Sequence, residues 1–250
     1  MEPGVACDIF HAEGNAKPAY AGVDCITQPT AYRRKQLLIA DMDSTLIMQE
    51  CIDELADYLG IKPQIAAITE RAMNGELQFE DALRERVALL KGLPESALAE
   101  VYSKQITLMP GGKTLAATMK ANGAYLVIVS GGFTYFTGRV REALGFDEDR
   151  SNRLEVAEGA LTGRIIPPIL GADAKLESLK EIASARSIPT EAILALGDGA
   201  NDVPMLKAAG LGVACHAKPF VQSQVSAQLN HNGLSALLYI QGYRRDAWVN

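Results

Sequence analysis

Asp41 and Asp43, separated by a single residue, close an uncharged run of Leu37-Leu38-Ile39-Ala40. Carboxylate oxygens suit a hard divalent cation, and a carboxylate is also a competent nucleophile toward phosphorus. An Asp-x-Asp alone more often marks a polar loop. Three distant segments carry compatible chemistry. Ser130-Gly131-Gly132 follows the apolar run Ala124 to Val129 and offers a hydroxyl and backbone N–H groups to an anion. Gly197-Asp198-Gly199-Ala200-Asn201-Asp202 follows Ala192 to Leu196, repeating the order of strand, acid, glycine and second acid. Lys175 can supply a compensating charge, although a lysine on a helix is solvated by default.

The elements that must position these residues read directly from the apolar pattern. Short, branched, uncharged runs predict buried parallel strands, and in an open α/β sheet ligands bind at the carboxyl ends of such strands. Lys175 opens an apolar-periodic stretch through Ile182, predicting a helix. Residues of about 47–108 predict a helical cap inserted into a core of 36–46 and 109–250. Leu46, Cys51, Ile52, Leu55, Ala56 and Leu59 recur at helical spacing with Gly60 as a stop, and a second helix runs from Leu77 to Leu90, ending near Gly92 and Pro94. Such an insert is expected to close over a bound substrate and exclude water. Phe79 and Arg86, seven residues apart, share a helix face from which Arg84 points away. An arginine fork matches a carboxylate and an aromatic supplies an apolar wall. From the residues alone, Phe79 as core and Arg84 and Arg86 as surface charges is the favoured reading, and Glu50, Glu54 and Asp57 read as one solvated acidic face.

The composition sets limits. The 250 residues are 48% hydrophobic and 22% charged with net charge −6, suiting a globular core plus a smaller module and arguing against nucleic-acid or anionic-membrane partners. Cys7, Cys25, Cys51 and Cys215 lack metal or disulfide spacing, so a reducing, cytoplasmic setting is expected. The first residues lack the basic-then-apolar order of a secretory signal. Residues 1–35, with Gly14, Pro18, Gly22 and Pro29, predict a linker with little regular structure. His11, His216 and His231 have no companions at ligand spacing and are expected to be ordinary loop or surface residues.

In chain order, DMDST, SGG, Lys175 and GDGAND resemble the four motifs of the haloacid dehalogenase superfamily of phosphatases and phosphotransferases. DMDSTLIMQECIDELA, AMNGELQFEDALRERVALL, VSGGF and GDGANDVPML are similar to its phosphoserine-hydrolysing members, from roughly Gln36 to Ile240. The resemblance implies a Rossmann-like parallel-sheet core with a small helical cap, Mg²⁺ as cofactor and a small phosphomonoester as substrate. It implies Asp41 as nucleophile and Asp43 as general acid and base. Asp41, the backbone carbonyl of Asp43 and Asp198 would bind the metal, while Asp202 orders its waters or orients Lys175. Ser130, Gly131 and Lys175 would hold the phosphoryl oxygens and Asn201 would add a contact. Glu50 would meet the substrate ammonium, Arg86 its carboxylate and Phe79 its apolar side.

The leading substrate is O-phospho-L-serine, with the D form also possible in the same frame, at the last step of serine synthesis. The alternatives are another small monoester such as phosphohomoserine, or transfer of the phosphoryl group to an acceptor alcohol. More remote is a regulatory module phosphorylated on Asp41, which needs neither the insert nor Lys175. Residues 1–35 resemble the tail of a regulatory domain. Cys215 stands where relatives often carry tyrosine, either as a packing change or as an altered wall near the site.

Overall fold

The computed structural model describes residues 2, 4–10, 20–73 and 76–249; His11, Gly14 and Pro18 lie outside them. The strands are β1 (Leu37–Ala40), β2 (Tyr125–Phe133), β3 (Glu148–Ala157), β4 (Ala160–Ile166), β5 (Ile193–Gly197), β6 (Leu211–Cys215) and β7 (Ala227–Leu229). Among the described residues they form one sheet in the order β4-β3-β2-β1-β5-β6-β7, parallel except for β4, which turns back antiparallel on β3. β1 therefore lies between β2 and β5, where the order switches direction. Ligands bind at such a switch, outside the carboxyl ends of the strands.

The alternation of side chains across the sheet assigns the helices. The helices between β1 and β2 are α1 (Cys51–Tyr58), α2 (Lys62–Met73), α3 (Phe79–Ala88), α4 (Glu95–Gln105) and α5 (Gly112–Ala121). Then come α6 (Thr134–Leu144), α7 (Ala172–Ala185), α8 (Val203–Ala208), α9 (Pro219–Gln224) and α10 (Ala236–Ile240). Leu38 and Ala40 face a core shared with Leu115 and Met119 of α5, Phe136 and Val140 of α6, and Leu237 of α10. Leu37 and Ile39 face the opposite core, with Leu179 and Ile182 of α7, Met205 of α8 and Val221 of α9. Both faces are covered, so β1 is wholly buried and tolerates no polar residue until Asp41.

Helices α1–α4 form the excursion between β1 and β2. The chain leaves and returns through paired segments: Met48 N–H donates to the Thr107 carbonyl at 2.9 Å and Met109 N–H to the Leu46 carbonyl at 2.8 Å. Two sequence expectations differ in detail. The sequence of Ser130-Gly131-Gly132 predicts a turn after the strand, but β2 runs on to Phe133 with a register shift after Val129, because β3 supplies a ladder beside it. Residues 20–35 have no helix or strand but are docked rather than free: Gln28 and Arg33 donate to the Ile240 carbonyl at 2.6 and 2.8 Å. Asp24 accepts from the backbone N–H groups of Asn230, His231 and Asn232. His216 and His231 are exposed, as expected. No helix among the described residues is long and apolar enough to cross a membrane.

Asp24→Ala removes one carboxylate from that cluster of N–H groups. The expected outcome is a loss of about 2 kcal/mol, or about 4–8 °C in Tm, by thermal denaturation. An unchanged Tm would show that the docked segment adds nothing to stability.

Candidate active site

The register of three parallel strands brings the acids together. Ala40, the last residue of β1, pairs with Leu196 near the end of β5 and with Ile128 within β2, so Asp41, Asp198 and Ser130 all follow the same rung of the sheet. Asp41 N–H donates to the Leu196 carbonyl at 3.0 Å, one residue past β1. The chain then makes a single tight turn in which the N–H groups of Thr45, Leu46 and Ile47 all converge on the Met42 carbonyl. Ser44 takes a φ of 54° to complete it, a left-handed conformation that costs a non-glycine residue energy and is found where function demands it. The turn folds Asp43 back toward β2.

Each carboxylate is held by a specific donor. Asp43 Oδ1 accepts from Cys51 N–H at 2.9 Å, and its Oδ2 lies 3.4 Å from the Ser130 hydroxyl, which donates to it. Gly132 permits this approach, since a Cβ there would stand 2.7 Å from Asp43 Oδ2. Thr45, wholly buried, donates its hydroxyl to Asp198 Oδ1 at 2.9 Å. Asp202 Oδ2 accepts from the N–H groups of Asp198 and Gly199 at 3.1 and 2.9 Å. Lys175, 3% exposed on α7, reaches between two acids, with Nζ 2.5 Å from both Asp41 Oδ2 and Asp202 Oδ1. Carboxylate oxygens of Asp41, Asp198 and Asp202 lie within 4.8 Å of one another, a spacing and donor set that fit a hard cation. Both Asp202 oxygens are already engaged by protein donors, whereas Asp198 keeps an oxygen beyond its bond to Thr45.

Burial of so much like charge moves the protonation equilibria. Burial, followed by the neighbouring Glu50 and Asp41, raises Asp43 to about 7, against the smaller opposing pull of Cys51 N–H. Asp198 is raised to about 7 by burial and then by Asp41 and Asp202. Burial also raises Asp202 to about 6, with Lys175 the main opposing influence. Burial alone would lower the Lys175 ammonium, but Asp202 and Asp41 outweigh it and carry its pKa above the ordinary range.

Residues of the helical insert lie beside these acids. Phe79, at the start of α3, lies over Gly131, its ring 3.0 Å from where a Cβ on that residue would stand. Arg86 is half-buried and Arg84 exposed, in keeping with the face expected for each. Burial lowers the Arg86 pKa while Glu50, Asp53 and Asp43 oppose that shift, which places the guanidinium in the field of the acids. Glu50 accepts from the Ser44 hydroxyl at 2.7 Å. Its carboxyl reaches solvent at one edge, yet the enclosing walls raise its pKa; the Ser44 bond opposes this and Asp41 adds to it. Asn201 turns its side-chain oxygen toward Gly199. Cys215 is fully buried in β6, 3.8 Å from the Val213 carbonyl, so it packs within the sheet.

Sequence reasoning missed four contributors. Thr45 and Ser44 adjoin the paired acids, and that adjacency was the available signal. Cys51 contributes a backbone N–H that no sequence pattern announces. Asn152, wholly buried on β3, donates to the Gly131 carbonyl at 2.9 Å and accepts from Leu170 N–H at 2.8 Å; it sits in a polar stretch that gives no cue.

Buried acids, a lysine and a glycine-bearing strand at the switch point of an open parallel sheet define an α/β enzyme site whose carboxylates could hold a hard cation. A family model described as haloacid dehalogenase-like hydrolase matches residues 38–207, and the chain belongs to that family. The phosphoserine phosphatase of Polaromonas sp. is 46% identical over 208 residues, 81% of this chain and 88% of that protein. That of Archaeoglobus fulgidus is 44% identical over 86% of this chain, which spans only 63% of the relative's length. A solved structure described as a phospho-aspartyl intermediate analogue of phosphoserine phosphatase superposes with a TM-score of 0.76 at 39% identity, covering 82% of this chain and 98% of that one.

An acid whose pKa is higher in the folded protein than in the unfolded chain ionises first when unfolded. In chelator, the metal-free protein should therefore lose stability as pH rises from about 4 to about 7, the window set by Asp43, Asp198 and Asp202. Asp198→Asn should flatten that slope and be more stable than the native protein at pH 7.5 but not at pH 4. Thermal denaturation across this range checks it, and parallel slopes for both proteins would be the contrary result.

Proposed function

We propose that the protein is a Mg²⁺-dependent phosphatase that hydrolyses O-phospho-L-serine to serine and phosphate. The observation that carries this reading is the division of roles between two neighbouring acids. Asp41 is paired with Lys175, whereas Asp43 is raised to about 7 and lies beside the Ser130 hydroxyl. One acid is thus suited to attack and the other to deliver a proton.

In this mechanism an Asp41 oxygen attacks phosphorus and the ester P–O bond breaks, its electron pair leaving with the serine oxygen, which takes a proton from Asp43. Water then attacks the aspartyl-phosphate while Asp43, now a carboxylate, accepts its proton, and cleavage of the P–O bond to Asp41 restores the free carboxylate. Lys175, Ser130 and the backbone at Gly131 hold the phosphoryl oxygens. Asp41, the carbonyl of Asp43 and Asp198 would hold Mg²⁺, whose charge offsets that of the phosphate; Asp202 orients Lys175. Arg86 would take the substrate carboxylate, Glu50 its ammonium, Phe79 its methylene and Asn201 a phosphate or head-group contact. Residues 47–108 act as a cap on the core of 36–46 and 109–250. The names of the relatives support the substrate, and the scattered thiols support a reducing, cytoplasmic setting.

Phosphate release measured with Mg²⁺ and then with chelator tests the reading. L-phosphoserine should exceed D-phosphoserine, phosphohomoserine and p-nitrophenyl phosphate, and chelator should abolish the activity. Preference for another ester would keep the chemistry and replace the substrate. Asp41→Asn should lose at least about 10³-fold in kcat while still unfolding cooperatively, because the amide is no nucleophile; residual native-like turnover would remove Asp41 from that role. Arg86→Ala should cost about 10²-fold in kcat/KM for phosphoserine and far less for p-nitrophenyl phosphate, which has no carboxylate. Equal losses would make Arg86 a structural residue.

A further inference from the structure

The helical insert is attached to the core at more than its two linkers. β3 and β4 form a hairpin whose two-residue turn, Glu158 and Gly159, has φ of 52° and 75°, both positive as the tightest hairpin turn requires. The tip of this hairpin pairs with the α3–α4 connection as a short antiparallel ladder. Gly92 N–H donates to the Leu161 carbonyl and Leu161 N–H to the Leu93 carbonyl, each at 2.8 Å, and Glu95 N–H donates to the Gly159 carbonyl at 2.9 Å. Pro94 and Ala160 face each other between these bonds. Leu154, Leu161 and Ile165 of the hairpin share one apolar core with Leu83, Val87, Leu90 and Leu93 of the insert. Gly163 lies against the last turn of α3: a Cβ there would stand 3.0 Å from Lys91 Cβ and 3.1 Å from the Ala88 carbonyl, and its φ is 79°.

The same strand also touches the phosphate end of the site, since Asn152 on β3 donates to the Gly131 carbonyl. The β3–β4 hairpin therefore runs from the anion cradle, at Asn152 of β3, to the connection that follows the helix bearing Arg86, at its turn and the start of β4. We propose that the β3–β4 hairpin is a fixed strut that sets the position of Arg86 relative to the phosphate site and stays joined to the insert throughout turnover, with Gly163 as a positioning residue. The strut fixes the distance at which a carboxylate can be read from a bound phosphate. Any opening that admits substrate then occurs elsewhere in the insert. The proposal rests on the reading of Arg86 given above for its consequence in specificity, but not for the joint itself.

Two experiments separate the joint from that reading. Pro94 and Ala160 form the close, non-hydrogen-bonded pair of the ladder, where Cα atoms lie about 4.5 Å apart and a disulfide can form. In Pro94→Cys/Ala160→Cys the oxidised protein, with the bridge verified by mass, should turn over phosphoserine within about threefold of the same protein after reduction. A larger loss restored by reductant would show that the joint must open and would overturn the proposal, whatever Arg86 does. Gly163→Ala tests the positioning role. It should raise KM for phosphoserine by about tenfold while changing KM for p-nitrophenyl phosphate at most a third as much, with kcat on both esters little altered. Equal KM effects on both esters would overturn the positioning role if Arg86→Ala itself discriminates between them. Should Arg86→Ala not discriminate, the reading of Arg86 has failed, and the oxidised double variant still decides the joint.

Discussion

The arrangement of the site turns on the burial of Lys175. Asp41, Asp43, Glu50, Asp198 and Asp202 converge at one edge of the sheet, and Lys175 sits among them at 3% exposure, in contact with two. A buried charge is tolerated only when paired and hydrogen-bonded, and removing one partner of such a pair leaves the other uncompensated at a cost of about 3–5 kcal/mol. The position of α7 follows from this requirement. Its Leu179 and Ile182 share one core with Leu37 and Ile39 of β1, Val127 and Val129 of β2 and Ile193 and Ala195 of β5, and that packing presents Lys175 where it meets both acids.

The register of the strands meets the same requirement from the other side. Asp41 and Asp198 are far apart in sequence, yet the pairing of Ala40 with Leu196 puts each just beyond the same rung of the sheet. A slip by one residue would exchange the faces of Leu37 and Ile39 with those of Leu38 and Ala40 and move the acid away from the lysine. Packing on the two faces and electrostatics at the strand ends therefore select a single register. Gly197 makes the close approach possible, since a Cβ there would lie 2.4 Å from Asp202 Cγ.

What the sequence makes legible is local. The apolar runs of β1 and β5 and the acids that end them were readable because burial and strand ending are encoded within a few residues. Arg84 and Arg86 were separable by helical angle alone. The strand character of Ser130-Gly131-Gly132 was hidden: serine and glycine favour turns, and only pairing with β3, whose Asn152 lies opposite Phe133, carries the strand through them. Lys175 has the ordinary environment of a surface lysine until α7 is docked, so its burial was available only through the resemblance of the motifs. The docking of residues 20–35 depends on contacts with Ile240 and with residues 230–232, about two hundred positions away, for which no local pattern exists.

The distribution of charge also links ligand and cation. Without a divalent ion, three of the acids have pKa values raised to about 6 or 7, so the site relieves its repulsion by holding protons. A phosphate monoester brings further negative charge into the same space, where Lys175 is already committed to Asp41 and Asp202. On the proposed reading, Asp41 and Asp198 would hold a divalent cation in place of those protons, with Asp198 ionised, and its charge would supply attraction for the phosphoryl oxygens. Cation and phosphate then each increase the affinity for the other, as linkage requires of two ligands that relieve the same repulsion. Asp43 lies outside the three-carboxylate cluster and is held instead by Cys51 N–H and Ser130, so it can keep its proton when the cluster gives up its own. On the proposed reading, that separation, set by one tight turn after β1, lets two acids in a three-residue motif perform opposite tasks.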